Sequence, residues 1–176
     1  MMRKKLVKEI FTIFLLLSLL GSVFFIKKPA FEDRRENQAL FNFLEKLPKD
    51  TLIVAHPYLA DDISLLSKRK VFLNFELSHP IFLIYWGKIY QRTIDFFQAY
   101  YSDKIKTVNN FCQANKIDYF LVNKTDFEPQ ELEKEKLYFE PFNSMIKNEL
   151  LTQKVFVLNN MPDEKKVFQW QNFYFN

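Results

Sequence analysis

The chain has 176 residues, of which 48% are apolar and 18% aromatic, a size and composition that favour one packed domain and exclude a largely disordered chain. Its two glycines, Gly21 and Gly87, cannot build a glycine-rich phosphate loop, which excludes P-loop and dinucleotide-binding proteins. The net charge of +4 arises in the first 28 residues, which hold six basic residues and one acidic residue, so the remainder has no basic excess and no nucleic-acid partner is predicted.

The first predicted element is an apolar run at residues 10–26, IFTIFLLLSLLGSVFFI, which holds no charged residue. With Leu6 and Val7, a helix here approaches the length needed to cross a hydrocarbon core of about 30 Å. The alternatives are a cleaved signal peptide, although no small-x-small pattern follows the run, and a buried helix. The sequence therefore predicts a single-pass anchor in the cytoplasmic membrane at residues 1–28, with the lipid bilayer as a partner. Basic residues flank the run on both sides and leave its orientation open.

A linker at residues 29–36 precedes the predicted soluble domain, which covers residues 37–176. Hydrophobic periodicity predicts, in chain order, a helix at 37–47, a strand at 51–55, a helix at 61–68, a strand at 70–74, helices at 81–101 and 103–116, a strand at 117–122, a helix at 142–151, a strand at 154–158 and a strand or hairpin at 167–175. This alternation predicts a small three-layer α/β domain, in which a mostly parallel sheet carries an antiparallel C-terminal strand or hairpin at its edge.

The loop after the first predicted strand holds three candidate ligand-binding residues, His56, Asp61 and Asp62. Ligands of open α/β sheets favour the crevice beyond the carboxyl ends of the strands, where this loop would lie. Its imidazole and carboxylate groups could bind a divalent cation, but their spacing matches no metal motif, and neither a metal site nor a cofactor is predicted. The alternative is structural: Asp61 caps a helix, and Asp62 adds favourable charge near the helix N-terminus.

Glu76, His79 and Arg92 form a second candidate binding group. Glu76 and His79 follow the second predicted strand, and Arg92 lies on the polar face of the helix at 81–101. An anionic or sugar-like ligand could bind there, and the alternative is an ion pair between Glu76 and Arg92 that anchors the loop. Neither histidine lies near a serine or cysteine in a nucleophilic motif, so no catalytic residue is identified. Cys112, on the apolar face of the next helix, is predicted to be a buried small hydrophobe.

Two phrases in sequence order carry a resemblance to a known family: LEKLPKDTLIVAHPYLADDISLLSKRKVFLNFELSHPI and YQRTIDFFQAYYSDKIKTVNNFCQANKIDYFLVN. Residues 37–175 resemble the C-terminal soluble domain that follows the last membrane helix in bacterial, notably cyanobacterial, multi-span proteins related to GT-C-type glycosyltransferases. The resemblance implies an extracytoplasmic domain and a lipid-linked sugar donor. It transfers no catalytic residue, because GT-C catalysis depends on an acidic residue in an early external loop among many membrane helices.

The function predicted from these observations is a membrane-anchored, extracytoplasmic domain with a binding or accessory role in cell-envelope glycan or lipid-linked sugar metabolism. The chain lacks the catalytic part of a GT-C enzyme, so we expect it not to be catalytic by itself. Two alternatives stay open at this point. One is a metal-assisted or transferase enzyme that uses the loops after the first two strands, and the other is a docking partner of a separate multi-span membrane protein.

Overall fold

The computed structural model describes residues 11–12, 34–78, 80–81, 83–152 and 155–175. The chain divides into two units, Met1–Arg35 and Glu36–Asn176. In the first unit the structure describes a helical stretch at residues 11–12 and the start of a 3₁₀ turn, Arg34–Asn37. The elements that follow belong to the second unit. The boundaries given above for the anchor, the linker and the soluble domain stay a prediction.

The prediction of an N-terminal transmembrane helix requires a correction. In the part of the chain that the structure describes, no helix combines the length and the apolar character needed to cross a bilayer. The predicted membrane helix and the predicted single-pass localisation in the cytoplasmic membrane are therefore wrong as far as the structure describes the chain. The apolar run at 10–26 lies outside the described residues except for Phe11 and Thr12.

Five short strands form one mixed sheet in the order β2-β1-β3-β5-β4. The strands are β1 (Leu52–Val54), β2 (Lys70–Val71), β3 (Tyr119–Asn123), β4 (Phe168–Trp170) and β5 (Phe173–Phe175). The first three are parallel, and Ile53 of β1 is in register with Val71 of β2 and Tyr119 of β3. β4 and β5 form an antiparallel hairpin, and β5 joins it to the sheet by pairing antiparallel with β3. The chain thus folds into a small α/β domain with three parallel strands.

Helices connect the strands and follow the order that the sequence predicts in most places. They are α1 (Gln38–Glu45), α2 (Pro57–Asp62) with a following π-helical turn (Ile63–Ser67), α3 (Leu83–Tyr100), α4 (Ile105–Asn115), a 3₁₀ turn (Lys124–Phe127), α5 (Pro129–Leu132), α6 (Phe142–Met145) with a second π-helical turn (Ile146–Leu150), and a 3₁₀ turn (Asp163–Lys165).

Side chains of the central strands alternate between two apolar cores, one on each face of the sheet. Ile53 and Leu121 belong to the core that holds Leu40, Phe41 and Leu44 of α1. The neighbouring residues along the strands, Val54, Phe120 and Val122, belong to the core that holds Phe96 and Phe97 of α3 together with Val108 and Phe111 of α4. This alternation follows from the two-residue period of a strand and gives helices on both sides of the sheet.

The predicted strand at 154–158 is wrong. Residues 155 and 156 have no regular structure, residues 157–160 form a turn, and residue 154 lies outside the described residues. Phe156 and Leu158 nevertheless belong to the apolar core, and the backbone N–H of Val157 donates to the carbonyl oxygen of Ser102 at 2.9 Å. A short apolar run is produced by burial as readily as by strand pairing, and the sequence pattern alone does not separate the two.

Helix α4 ends at Lys116, which has a left-handed backbone with φ of 54°. The N–H of Ile117 donates to the carbonyl oxygen of Cys112 at 3.0 Å, which is the closing bond of a helix terminus that glycine usually completes. A side chain in this conformation costs about 1 kcal/mol.

Replacing Lys116 by glycine should therefore raise the free energy of unfolding by about 1 kcal/mol, measured by urea unfolding. The matched control is Lys88→Gly, the same substitution at an exposed position inside α3. There glycine should destabilise the protein by about 1 kcal/mol, because it loses more conformational freedom on folding than lysine. Equal effects of the two substitutions would contradict the assignment of Lys116 to the left-handed cap.

Candidate functional site

A cavity of about 260 Å³ lies at the carboxyl ends of the parallel strands β1 and β3. His56 follows β1 by two residues, and Asn123 is the last residue of β3. The carboxyl ends of neighbouring parallel strands open at the same edge of a sheet, which is where α/β folds bind ligands. The lining residues are aromatic, polar and charged: His56, Tyr58, Leu59, Tyr101, Asn123, Asp126, Glu131, Lys134, Lys136, Leu137 and Phe173. We call this the strand-end cavity.

Two hydrogen bonds hold the Asp126 carboxylate in place at the strand-end cavity. The hydroxyl of Tyr100 donates to Asp126 Oδ2 at 2.6 Å, and the side-chain amide of Asn123 donates to Oδ1 at 2.9 Å. Asn123 is itself oriented, because its Oδ1 accepts the backbone N–H of Thr125 at 3.2 Å. Burial raises the pKa of Asp126, although both hydrogen bonds oppose this by favouring the ionised form. The carboxylate therefore has a fixed orientation at the wall of the cavity.

His56 borders Asp126 and lies among aromatic rings. Its imidazole contacts Phe97 and Tyr100 edge-on, with ring centroids 5.8 and 6.1 Å apart, and Tyr58 at 5.4 Å. Burial lowers the pKa of His56, while attraction to the Asp126 carboxylate acts in the opposite direction. The imidazole is therefore neutral at neutral pH, with one nitrogen that donates and one that accepts. It makes no hydrogen bond to another residue in the described ranges.

The hydroxyl of Tyr101 is the second polar group that faces the cavity without a protein partner. The side chain is only 2% exposed, lines the cavity, and makes ring contacts with Phe97 and Phe127. Among the residues that the structure describes, none accepts a hydrogen bond from this hydroxyl or donates one to it. Burial raises the pKa of Tyr101, so the hydroxyl keeps its proton and can both donate and accept. Among the described residues, the fully buried side-chain oxygen without a hydrogen-bonding partner is that of Tyr138, so the Tyr101 hydroxyl is instead an accessible group that a ligand in the cavity can reach.

The remaining lining residues form an aromatic and charged rim around the cavity. Tyr58 is 44% exposed, and Phe173 reaches the cavity from the C-terminal hairpin. Glu131 and Lys134 form an ion pair with each other across one turn, and Lys136 is exposed. Glu131 and Lys134 cancel, so Lys136 leaves one positive charge on the rim, and the aromatic faces of Tyr58 and Phe173 are its apolar surface.

Of the six predicted site residues, five are described, and among these only His56 lines the strand-end cavity. His79 lies outside the described residues. Asp61 and Asp62 lie at the end of α2. Asp61 accepts the backbone N–H of Glu76 at 3.2 Å and so ties the loop after β2 to α2; burial raises the pKa of Asp61. The predicted role of Asp61 as a helix cap is wrong, because α2 begins four residues earlier at Pro57, whose fixed φ suits the first helical position.

Arg92 and Glu76 do not form the predicted ion pair within the part of the chain described here. Arg92 Nη1 instead donates to the carbonyl oxygen of Phe72 at 3.3 Å, and the guanidinium carbon lies 5.0 Å from the centre of the Phe72 ring. Glu76 is exposed. Whether these residues bind a ligand stays a prediction. Among the described residues, no three histidine, cysteine, aspartate or glutamate side chains are grouped so that they could hold a metal ion.

The sequence contained one signal for the residues that we missed. Asn123 and Asp126 belong to NKTD, a polar stretch that directly follows the third predicted strand, just as His56 follows the first. Because both strands are parallel neighbours, their following residues meet at one edge. Tyr100 and Tyr101 carried no such signal, because a tyrosine at the end of an amphipathic helix is predicted to be a core residue.

Cys112 is half-buried, and burial raises the pKa of its thiol to about 11, as expected of an unreactive cysteine.

The fold and the site together define a small α/β domain with a ligand-sized cavity at the carboxyl edge of its parallel strands. No protein-family model and no curated protein matches the chain. Among solved structures, the C-terminal globular domain of an oligosaccharyltransferase from Archaeoglobus fulgidus is similar, with a TM-score of 0.47 and 12% sequence identity over 82% of this chain and 97% of that one. At this level of similarity the neighbour does not assign a function.

Proposed function

We propose that the domain binds a saccharide in the strand-end cavity and serves as a glycan-recognition module with an accessory role in glycan assembly. The observation that carries the proposal is the pair of polar groups, Tyr101 and His56, that face the cavity and have no hydrogen-bonding partner among the described residues. Next to them Asp126 offers an oriented acceptor. Such groups bind a ligand that donates and accepts at several neighbouring positions, as sugar hydroxyls do.

The aromatic residues of the cavity favour a sugar over other polar ligands. The C–H face of a pyranose ring is apolar and packs on an aromatic ring, while its hydroxyl edge needs hydrogen bonds. Tyr58 and Phe173 supply the aromatic faces, and Asp126, Tyr101 and His56 supply the polar edge. A cavity of about 260 Å³ is slightly smaller than the ~300–1,000 Å³ of most small-molecule sites, which suits one sugar unit rather than an oligosaccharide.

The sequence resemblance to the C-terminal domains of GT-C-type glycosyltransferase-like proteins supports the same ligand class. A lipid-linked sugar and a separate multi-span membrane protein, the partners that the sequence predicts, remain proposals that follow from this resemblance. A binding role is favoured over an enzymatic one, because the strand-end cavity offers positioned hydrogen-bonding groups and an aromatic surface, and no serine, threonine or cysteine is among its described lining residues.

The experiment is a ligand-observed NMR titration of the full chain with a panel of neutral and amino monosaccharides. We expect at least one of them to bind with a millimolar dissociation constant. Tyr101→Phe removes only the hydroxyl that faces the cavity and should weaken that binding about tenfold, in line with the loss of one buried hydrogen bond. The matched control Tyr85→Phe removes an exposed hydroxyl from α3 and should leave binding unchanged. Absence of binding by every sugar of the panel would contradict the proposed function.

A further inference from the structure

The Asp126 carboxylate has hydrogen bonds but no positively charged partner among the described residues. Tyr100 and Asn123 donate to it, and both donors are neutral. Lys134, one of the two lysines that line the cavity, forms its ion pair with Glu131. His56 attracts the Asp126 carboxylate, but burial lowers the pKa of its imidazole, which is neutral at neutral pH. Carboxylates that are withdrawn from water are normally paired with a cation, and a cationic ligand in the strand-end cavity would supply such a partner for Asp126.

Aromatic side chains line the same cavity as Asp126. Tyr58, Tyr101 and Phe173 line it, and the rings of His56 and Tyr58 lie 5.4 Å apart. The face of an aromatic ring attracts a cation through its quadrupole, and this attraction grows when the cation is withdrawn from water. A carboxylate combined with several aromatic rings is the arrangement that holds an ammonium group, since the carboxylate pairs with the charge and the rings contact the C–H groups beside it.

We propose that the sugar bound in the strand-end cavity carries a free amine, and that its ammonium group pairs with Asp126 between the rings of Tyr58, Tyr101 and Phe173. The inference rests on the proposed function and specifies its ligand as an amino sugar. A neutral sugar leaves the carboxylate without a counter-charge. An acetylated amine carries no charge, and a sugar phosphate or uronic acid brings negative charge toward Asp126.

The test compares D-glucosamine, D-glucose and N-acetyl-D-glucosamine by ligand-observed NMR titration against the full chain. D-glucosamine should bind at least about tenfold more tightly than D-glucose, because it adds a charge pair and cation–π contacts. N-acetyl-D-glucosamine should bind no more tightly than D-glucose. Potassium chloride at the concentration of the glucosamine salt serves as the control for a general cation effect and should displace none of the bound sugar.

Two variants test whether Asp126 and the rings produce the preference. Asp126→Asn keeps an oxygen that accepts from Tyr100 but removes the charge, so the ratio of the two dissociation constants should fall to about one. Tyr58→Leu removes an exposed ring and should lower the ratio about threefold, and it provides a second test should Asp126→Asn fail to fold. The matched control Asp95→Asn removes a half-buried carboxylate of α3 that does not line the cavity and accepts from Gln91 at 2.8 Å, and it should preserve the ratio.

The outcomes separate this inference from the proposed function. Equal binding of D-glucosamine and D-glucose, or a preference that Asp126→Asn retains, would overturn the amino-sugar inference and leave the saccharide site in place. Displacement of the sugar by potassium chloride would overturn it as well. If none of the three sugars binds and the wider panel also fails, both the inference and the proposed function are overturned.

Discussion

Replacing Phe97 by alanine is expected to lower the free energy of unfolding by about 3–5 kcal/mol, the usual loss when a buried phenylalanine is truncated. The side chain is fully buried, and its ring contacts Phe96 and Tyr138 with centroids 5.0 and 5.2 Å apart. It also contacts His56 and Tyr101, two residues that line the strand-end cavity. Close-packed neighbours refill such a void only in part, so the urea midpoint should fall and the cavity wall should loosen.

The matched controls for Phe97 separate packing from any general effect of substitution. Leu65 is 72% exposed, so Leu65→Ala should change the free energy of unfolding by no more than about 0.5 kcal/mol. Phe97→Leu keeps part of the buried volume and should cost about half as much as Phe97→Ala. If Phe97→Ala unfolds at the same urea concentration as Leu65→Ala, the packing described for the core around α3 is wrong.

Replacing Arg69 by leucine is the second substitution with a large expected effect, a loss of about 3 kcal/mol. Arg69 is buried and donates only to carbonyl oxygens: Nε to Leu47 at 3.0 Å, Nη1 to Lys68 at 3.0 Å and Ser67 at 3.1 Å, and Nη2 to Glu45 and Leu47. The guanidinium thereby donates hydrogen bonds to the carbonyl oxygens at and after the end of α1 and in the turn before β2. Leucine fills a similar volume but leaves these acceptors without donors.

Two further variants define the cause of the Arg69 effect. Arg69→Lys keeps the charge but lacks the planar fork, so it should lose about half as much stability as Arg69→Leu. Lys49→Leu removes a charge from an exposed position two residues after Leu47, one of the acceptors of Arg69, and should be close to neutral. Urea unfolding of Arg69→Leu, Arg69→Lys and Lys49→Leu in parallel measures these differences in the free energy of unfolding. A neutral result for Arg69→Leu would mean that water or backbone movement satisfies the carbonyl groups instead.

Long amphipathic patterns were the most informative part of the sequence. The helices predicted at 81–101 and 103–116 correspond to α3 (Leu83–Tyr100) and α4 (Ile105–Asn115), because many turns of consistent spacing average out single exceptions. Short elements were less predictable. The helix predicted to begin at residue 61 begins at Pro57, and the predicted strand at 154–158 is a buried loop. In both places a few residues fit two structural patterns at once, and contacts with residues that are distant in the sequence determine which structure forms.

The candidate site could be predicted only where it follows a strand. His56 was predicted because it comes after β1, and in a similar way Asn123 ends β3 and Asp126 follows it. The partner that orients Asp126 is Tyr100, which is 26 residues away at the end of α3. No local pattern indicates that this hydroxyl faces a carboxylate. The polar network is a product of the packing of α3 against the sheet, and it becomes visible only in three dimensions.

The C-terminal hairpin contributes Phe173 to the lining of the strand-end cavity. Phe173 belongs to β5, which pairs with β3. His56 and Phe173 are separated by most of the domain along the chain. A nascent polypeptide leaving the ribosome can therefore assemble the helices and parallel strands early, yet the wall of the strand-end cavity is complete only after β5 has emerged and paired with β3.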